Sequence, residues 1–181
     1  MRWLLAFAFL LAWPAQADEA LWKRVADGGQ VLLLRHAETT PGAGDPPGFR
    51  LEDCATQRNL SIEGRAQARR IGAELKRRGV PIGEVLSSPW CRCRDTAQLA
   101  FGRAQTWDAL ANLYGRSGEA DRQVRALRPR IAAHAGTSNL VLVSHGSTAL
   151  ALTGEHPAMG ELLVLRPQPG GFRVAGRLAI P

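Results

Sequence analysis

Two short apolar runs, each closed by a histidine, organise the hydrophobic pattern of this chain. Val31-Leu32-Leu33-Leu34 leads into Arg35-His36, and Leu140-Val141-Leu142-Val143 leads through Ser144 into His145-Gly146. Aliphatic runs of this length, bounded by polar or glycine-rich sequence, read as strands buried on both faces, which is the habit of a parallel sheet. Glu84-Val85-Leu86 predicts a third short strand and Gln105-Thr106-Trp107 a fourth. Leu162–Leu165 and Phe172–Ala175, separated by Pro167–Gly171, predict a terminal hairpin or two edge strands.

Between these strands apolar residues recur at helical spacing. Ala68, Ile71, Gly72 and Leu75 mark one face of a helix that Ser61 is suited to cap, that Arg77 and Arg78 favour at its C-terminal dipole, and that Gly79 and Pro81 stop. Further helices are predicted over Cys91–Ala100, over Ala120–His134 with Val124, Leu127 and Ile131 as its stripe and Pro129 disturbing its course, and over the shorter segments Ala20–Ala26 and Ser147–Leu152. Strand alternating with helix implies an α/β fold: a single-domain, three-layer α/β/α sandwich around a mostly parallel central sheet. Thr40–Arg58 interrupts the alternation with a long Gly- and Pro-rich connection, expected to form a lid or pocket wall rather than filler. Its Arg50, Asp53, Gln57 and Arg58 are candidates to touch a ligand.

The first residues follow a different pattern. Arg2, an apolar stretch from Trp3 to Trp13 and the small-residue site Ala15-Gln16-Ala17 fit an export signal, residues 1–17, cleaved before Asp18. The stretch falls short of the ~20 apolar residues a membrane span needs. The expectation is a periplasmic or secreted domain of residues 18–181, one domain's worth of chain with no integral membrane segment after signal cleavage.

The chain is basic, with a formal net charge of +7, and nearly all its cations are arginines scattered over the predicted helices; Lys23 and Lys76 are the only lysines. This composition gives a solvated surface and can steer anionic substrates toward a cleft. With 6% aromatic residues and no basic stripe interleaved with them, the pattern argues against nucleic acid as a partner.

Ligands of open parallel sheets bind at the C-terminal ends of the strands, so His36 and His145 should open onto one crevice. Ser87-Ser88-Pro89-Trp90-Cys91-Arg92-Cys93-Arg94 places Arg92 just after the third strand. Two imidazoles with Arg35 and Arg92 make a cationic pocket suited to a phosphate. A lone histidine after a buried strand is most often a satisfied polar cap. Two of them in matching strand-end contexts, with the arginines correctly spaced, reverse those odds.

Four segments in order carry a resemblance. Leu34-Arg35-His36-Ala37-Glu38-Thr39, Asn59-Leu60-Ser61-Ile62-Glu63-Gly64-Arg65-Ala66-Gln67-Ala68, Ser87-Ser88-Pro89 with Arg92-Cys93-Arg94-Asp95-Thr96-Ala97, and Ser144-His145-Gly146 together resemble the signature segments of the histidine phosphatase superfamily, the phosphoglycerate-mutase-like proteins. The resemblance spans Val31 to Leu152, with Ala37 where glycine is commoner. It implies the phosphoglycerate-mutase-like fold and a histidine phosphatase, a phosphoric monoester hydrolase, acting on a small phosphorylated substrate. In that reading His36 is the nucleophile that becomes phosphohistidine. Arg35 and Arg92 clamp the phosphate, His145 is the second catalytic histidine, and Thr39 donates to the phosphate. No metal and no other cofactor is implied, and no Cys or His pair has metal-ligand spacing.

One departure stands out. A branch of the superfamily supplies an acidic residue shortly after the strand near Trp107, where this chain offers Asn112; another supplies one directly after the second histidine, where Gly146 stands. Asp108, Glu119 and Asp53 remain as possible donors, or there is none. Without a strong acid, activity should favour good leaving groups such as phosphoramidates or acidic phosphoesters. The leading expectation is an exported phosphohydrolase of phosphomonoesters or phosphoramidates, envelope glycolipid or sugar phosphates among them. The alternative is a phosphate-binding or regulatory pseudo-phosphatase with little turnover. Mutase chemistry is not expected of so short a chain. His134 and His156 lack partners at suggestive spacing and are assigned no chemical role.

Three cysteines in a chain expected to reach an oxidising compartment suggest one disulfide and one leftover thiol. Cys93 takes the place of the superfamily's small alanine, which suggests a buried thiol, and Cys91 and Cys93 are poorly placed to bridge one another. Cys54–Cys91 is the favoured pair.

Overall fold

The alternation of apolar runs folds as the pattern predicts, around one sheet. The computed structural model describes residues 13–181, with side chains from residue 19 onward. Residues 1–12, which hold most of the expected export signal, lie outside them. The elements in chain order are α1 (Trp13–Asp27), β1 (Val31–Arg35), α2 (Ile62–Arg77), β2 (Ile82–Ser87), α3 (Cys91–Phe101), β3 (Gln105–Thr106), α4 (Ala120–Ala132), β4 (Asn139–Ser144), α5 (Gly146–Thr153), β5 (Leu162–Gln168) and β6 (Gly171–Leu178). The strands form a six-stranded sheet in the order β3-β2-β4-β1-β5-β6. The first four run parallel, and the β5–β6 hairpin adds to β1 antiparallel.

Strand residues alternate between two apolar layers because successive side chains point to opposite faces. Leu32, Leu34, Val141, Val143, Leu162 and Val164 meet α1, α2 and α3 through Leu21, Trp22, Val25, Ile71, Leu75, Cys93 and Ala97. Val31, Leu33, Leu140, Leu142, Leu163 and Leu165 meet α4 and α5 through Leu127, Ile131, Ala149 and Leu152. Both faces of the sheet are covered, and the architecture is the expected three-layer sandwich. No helix among the described residues is long and apolar enough to cross a membrane.

Two details refine the pattern reading. The helix expected over Ala20–Ala26 runs the full length of Trp13–Asp27. Of the two alternatives for the last strands, the terminal hairpin holds, and of its strands only β6 is at an edge: β5 lies between β1 and β6, so Leu162–Leu165 are all buried. Elsewhere the expected signals act as predicted. Ser61 caps α2 by accepting from Gly64 N at 2.9 Å, and Pro129 is accommodated within α4. Gly64 is required by close approach, since a Cβ there would lie 1.8 Å from the Glu38 carbonyl oxygen. The start of α2 is thereby seated directly against the segment that follows β1.

Candidate active site

The order of strands brings His36 and His145 together. β1 and β4 are neighbours, with Arg35 in register with Ser144, so the residues that follow them emerge side by side. The two imidazole centroids are 5.4 Å apart, nearly edge to face. Arg92 arrives from the first turn of α3, the helix that follows β2 on the other side of β4. Arg35, His36, Arg92 and His145 all line one cavity of about 290 Å³, together with Arg58, Asn112, Tyr114, Gly146, Ser147 and His156.

His36 is held as a neutral imidazole of defined tautomer. Its Nδ1 lies 2.8 Å from the carbonyl oxygen of Ala37. A carbonyl only accepts, so Nδ1 carries the hydrogen and donates it, and Nε2 keeps its lone pair. Burial pushes the pKa of His36 down to about 3; the Ala37 bond opposes this, and the charges of Arg92, Arg35 and Arg58 add to it. Thr96, in the resemblance segment, fixes this region by accepting from Ala37 N at 3.0 Å and donating to Arg92 O at 2.7 Å. His145 stands at the residue just before α5 and shares a 2.8 Å hydrogen bond between its Nε2 and Ser88 Oγ. Burial above all, then His36 and the arginines, holds its pKa well below the ordinary value.

The Thr40–Arg58 connection is a pocket wall, as expected, but through residues the sequence reading did not all name. Asp45, which carried no motif, reaches in and pairs bidentately with Arg92 at 2.6 and 3.2 Å. It also accepts from Trp90 Nε1 at 3.0 Å and Arg58 N at 3.1 Å. Both side chains of the pair are buried, at 1% and 3% exposure. Burial pushes the Asp45 carboxyl up, but the Arg92 hydrogen bonds and charge, with the Arg58 amide and the Trp90 indole, hold it below the usual carboxylate range. Arg58 donates to the carbonyl oxygens of Gly44 and Gly42, at 2.8 and 3.0 Å. Gln57 joins the wall to α3 by accepting from Cys91 N at 3.0 Å. Arg50 and Asp53 instead pair with one another away from the cavity.

Thr39 stands a layer behind the cavity. Its hydroxyl accepts from Arg58 Nη1 at 2.5 Å and approaches Met159 Sδ at 3.7 Å. In this position it orients Arg58 rather than facing the histidines. Arg94 points to solvent. The Cys54–Cys91 disulfide is present, and Cys93 is a buried free thiol whose pKa burial pushes up to about 12.

None of the three candidate acids from the sequence, Asp108, Glu119 and Asp53, reaches the cavity. Asp108 is exposed in a short turn, and Glu119 is engaged by Arg116 and Arg122. No carboxylate is among the cavity-lining residues. His156, given no role from its spacing, has its imidazole in the lining of the cavity. Sequence spacing could not show this, since the turn is brought back by the β5–β1 pairing and by hydrogen bonds from distant residues of β1 and α2. His134 does remain apart, donating from Nε2 to Ser138 O at 2.9 Å.

Comparison with known proteins agrees with this geometry. Residues 31–116 match the histidine phosphatase superfamily, branch 1. No curated protein matches the chain. Among solved structures, the open reading frame Rv3214 of Mycobacterium tuberculosis is similar with a TM-score of 0.62 at 18% identity, over 81% of this chain and 95% of that one. The protein histidine phosphatase SixA complexed with tungstate is similar with a TM-score of 0.57 at 21% identity, over 83% and 96%. An Agrobacterium tumefaciens protein provisionally assigned as the phosphohistidine phosphatase SixA reaches 27% identity with a TM-score of 0.51, over 83% and 97%. The match and the shared fold support the histidine phosphatase superfamily.

Proposed function

We propose that this protein is a phosphohydrolase that cleaves phosphomonoesters or phosphoramidates through a phosphohistidine on His36. One observation carries the reading: a buried neutral imidazole, its Nδ1–H tied to Ala37 O, faces a cavity shared with His145, Arg35, Arg58 and Arg92. With its lone pair at Nε2, His36 is a nucleophile that needs no prior deprotonation. Guanidinium groups bond two phosphate oxygens at once and stay charged, so they stabilise the transferring phosphoryl group without a metal. Three such groups balanced by the Asp45 carboxylate leave a net positive cavity that complements a phosphate dianion.

The nucleophile attacks phosphorus, the P–O or P–N bond breaks with its electron pair going to the leaving group, and water then hydrolyses the phosphohistidine. The provisional assignment of the Agrobacterium tumefaciens protein supports including phosphoramidates. The sequence of residues 1–17 supports export, and so does a disulfide, which persists in oxidising compartments. Mixing with labelled phosphate ester followed by an alkaline quench should trap a base-stable, acid-labile phosphoryl group. His36→Ala should abolish both the label and the turnover. Phosphate binding without turnover in the native chain would instead favour a regulatory pseudo-phosphatase, and label on serine, threonine or cysteine would count against the mechanism.

A further inference from the structure

An alkoxide is a poor leaving group unless a proton reaches it as the bond breaks. No carboxylate lines the cavity. Asn112 occupies the flank where a superfamily acid is expected, but an amide is no proton donor, and its Oδ1 already accepts from Ser147 Oγ at 2.9 Å and Tyr114 N at 3.1 Å. The guanidinium groups keep their protons. His36 and His145 are held neutral by burial and by the arginines. Two groups on the wall remain, the His156 imidazole and the Tyr114 phenol. Imidazole is the side-chain type that exchanges a proton most readily near neutral pH, whereas a phenol is a far weaker acid.

His156 is carried on a turn that is pinned to the site from several sides. Arg35 Nη1 donates to Pro157 O at 2.9 Å, and Gly160 N lies 3.2 and 3.1 Å from the carbonyl oxygens of Arg35 and His36. Gln67 Nε2, from α2, donates to Met159 O at 3.1 Å. Ala158 N donates to Glu161 Oε2 at 2.7 Å within the turn itself. The imidazole is admitted by the missing side chain of Gly146. A Cβ at that position would lie 2.6 Å from His156 Nε2 and 3.1 Å from Arg35 Cζ. The residue directly after the second histidine thus makes room for an imidazole against a phosphate-clamping arginine.

We infer that His156 is the acid–base residue of this site; the inference rests on the phosphohydrolase reading. As His36 Nε2 forms its bond to phosphorus, the bond to the leaving atom breaks and its electron pair stays on that atom. The leaving atom takes the proton of the His156 imidazolium, which becomes neutral. In the second step the neutral imidazole takes a proton from the water that attacks phosphorus, and the P–N electron pair returns to His36. Arg35 from β1, Arg58 from the long loop, Arg92 from α3, Tyr114 from the segment after β3, and His36 with His145 are the charged and titratable groups that share this cavity with it.

The test compares kcat/KM on an alkyl phosphate and on an aryl phosphate with an acidic phenol, in the native chain, His156→Gln, Tyr114→Phe and His36→Ala. General-acid catalysis contributes about 10²- to 10⁴-fold, so His156→Gln should lower the alkyl-to-aryl ratio by roughly 10²-fold or more. Using a ratio within one variant removes any effect of partial folding. Tyr114→Phe should keep the native ratio. An unchanged ratio in His156→Gln, or a collapsed ratio in Tyr114→Phe alone, would overturn the assignment. Failure of the underlying reading looks different: His36→Ala would keep its turnover, or no chain would turn over either substrate.

Discussion

The substitution Asp45→Asn should destabilise the protein far more than its isosteric change suggests. The carboxylate receives two bonds from Arg92, one from Trp90 and one from the Arg58 amide, and both members of the ion pair are almost fully buried. The amide keeps the shape but removes the charge, and it turns one acceptor into a donor that faces other donors. What remains is a guanidinium without a counter-ion in a low-dielectric site, a change that costs about 3–5 kcal/mol. At about 2–4 °C per kcal/mol for a chain of this size, the midpoint of thermal unfolding should fall by about 6–20 °C. Circular dichroism melts with the disulfide intact would measure the shift. The double variant Asp45→Leu, Arg92→Leu removes both charges and should regain part of this stability while losing phosphatase activity, because replacing a whole buried pair is far cheaper than orphaning one member. An Asp45→Asn melt within about 2 °C of the native protein would refute the reasoning. It would mean that the Arg92 charge is solvated despite its burial.

The buried histidines should make the fold acid-sensitive well above the carboxylate range. With the folded pKa of His36 depressed to about 3 and that of His145 also lowered, their contribution is fully present above the unfolded value near 6.5. It is then lost as pH falls toward the folded values, at up to about 1.4 kcal/mol per pH unit for each. Urea unfolding between pH 7 and pH 4 checks this, and a flat stability across that window would show that the imidazoles are charged in the folded state. Reduction of Cys54–Cys91 should cost about 2–4 kcal/mol and raise KM more than it lowers kcat. The bridge ties the loop bearing Asp45 and Arg58 to the helix bearing Arg92. Melts and kinetics with and without reductant decide it, and identical values would show that the loop holds itself in place.

Periodicity made the layers legible, because burial on both faces leaves unbroken aliphatic runs and helices leave a 3.6-residue stripe. It also placed His36, His145 and Arg92 at strand ends that open together. Asp45 and His156 were not legible. Each lies in irregular chain whose course is set by distant contacts: the disulfide and the Arg92 pair for one, and the Arg35, His36 and Gln67 hydrogen bonds for the other. No local repeat records such contacts. Gly146 is instructive, since its position was read as a missing acid. The structure shows the absent side chain as room for an imidazole that stands against Arg35.

The position of β4 has a consequence for how the molecule comes into being. β1 and β2 do not touch; each pairs with β4, which is synthesised about a hundred residues after β1. Until residues 139–144 exist, the leading strand has no parallel partner, and His36 faces no second histidine. Closing such distant segments is slow, because chain entropy is lost before any contact is gained. A growing chain therefore stays open for most of its synthesis, with the candidate site among the last features to assemble. Under the proposed export, that delay would keep the chain unfolded and chemically inert while it crosses a membrane.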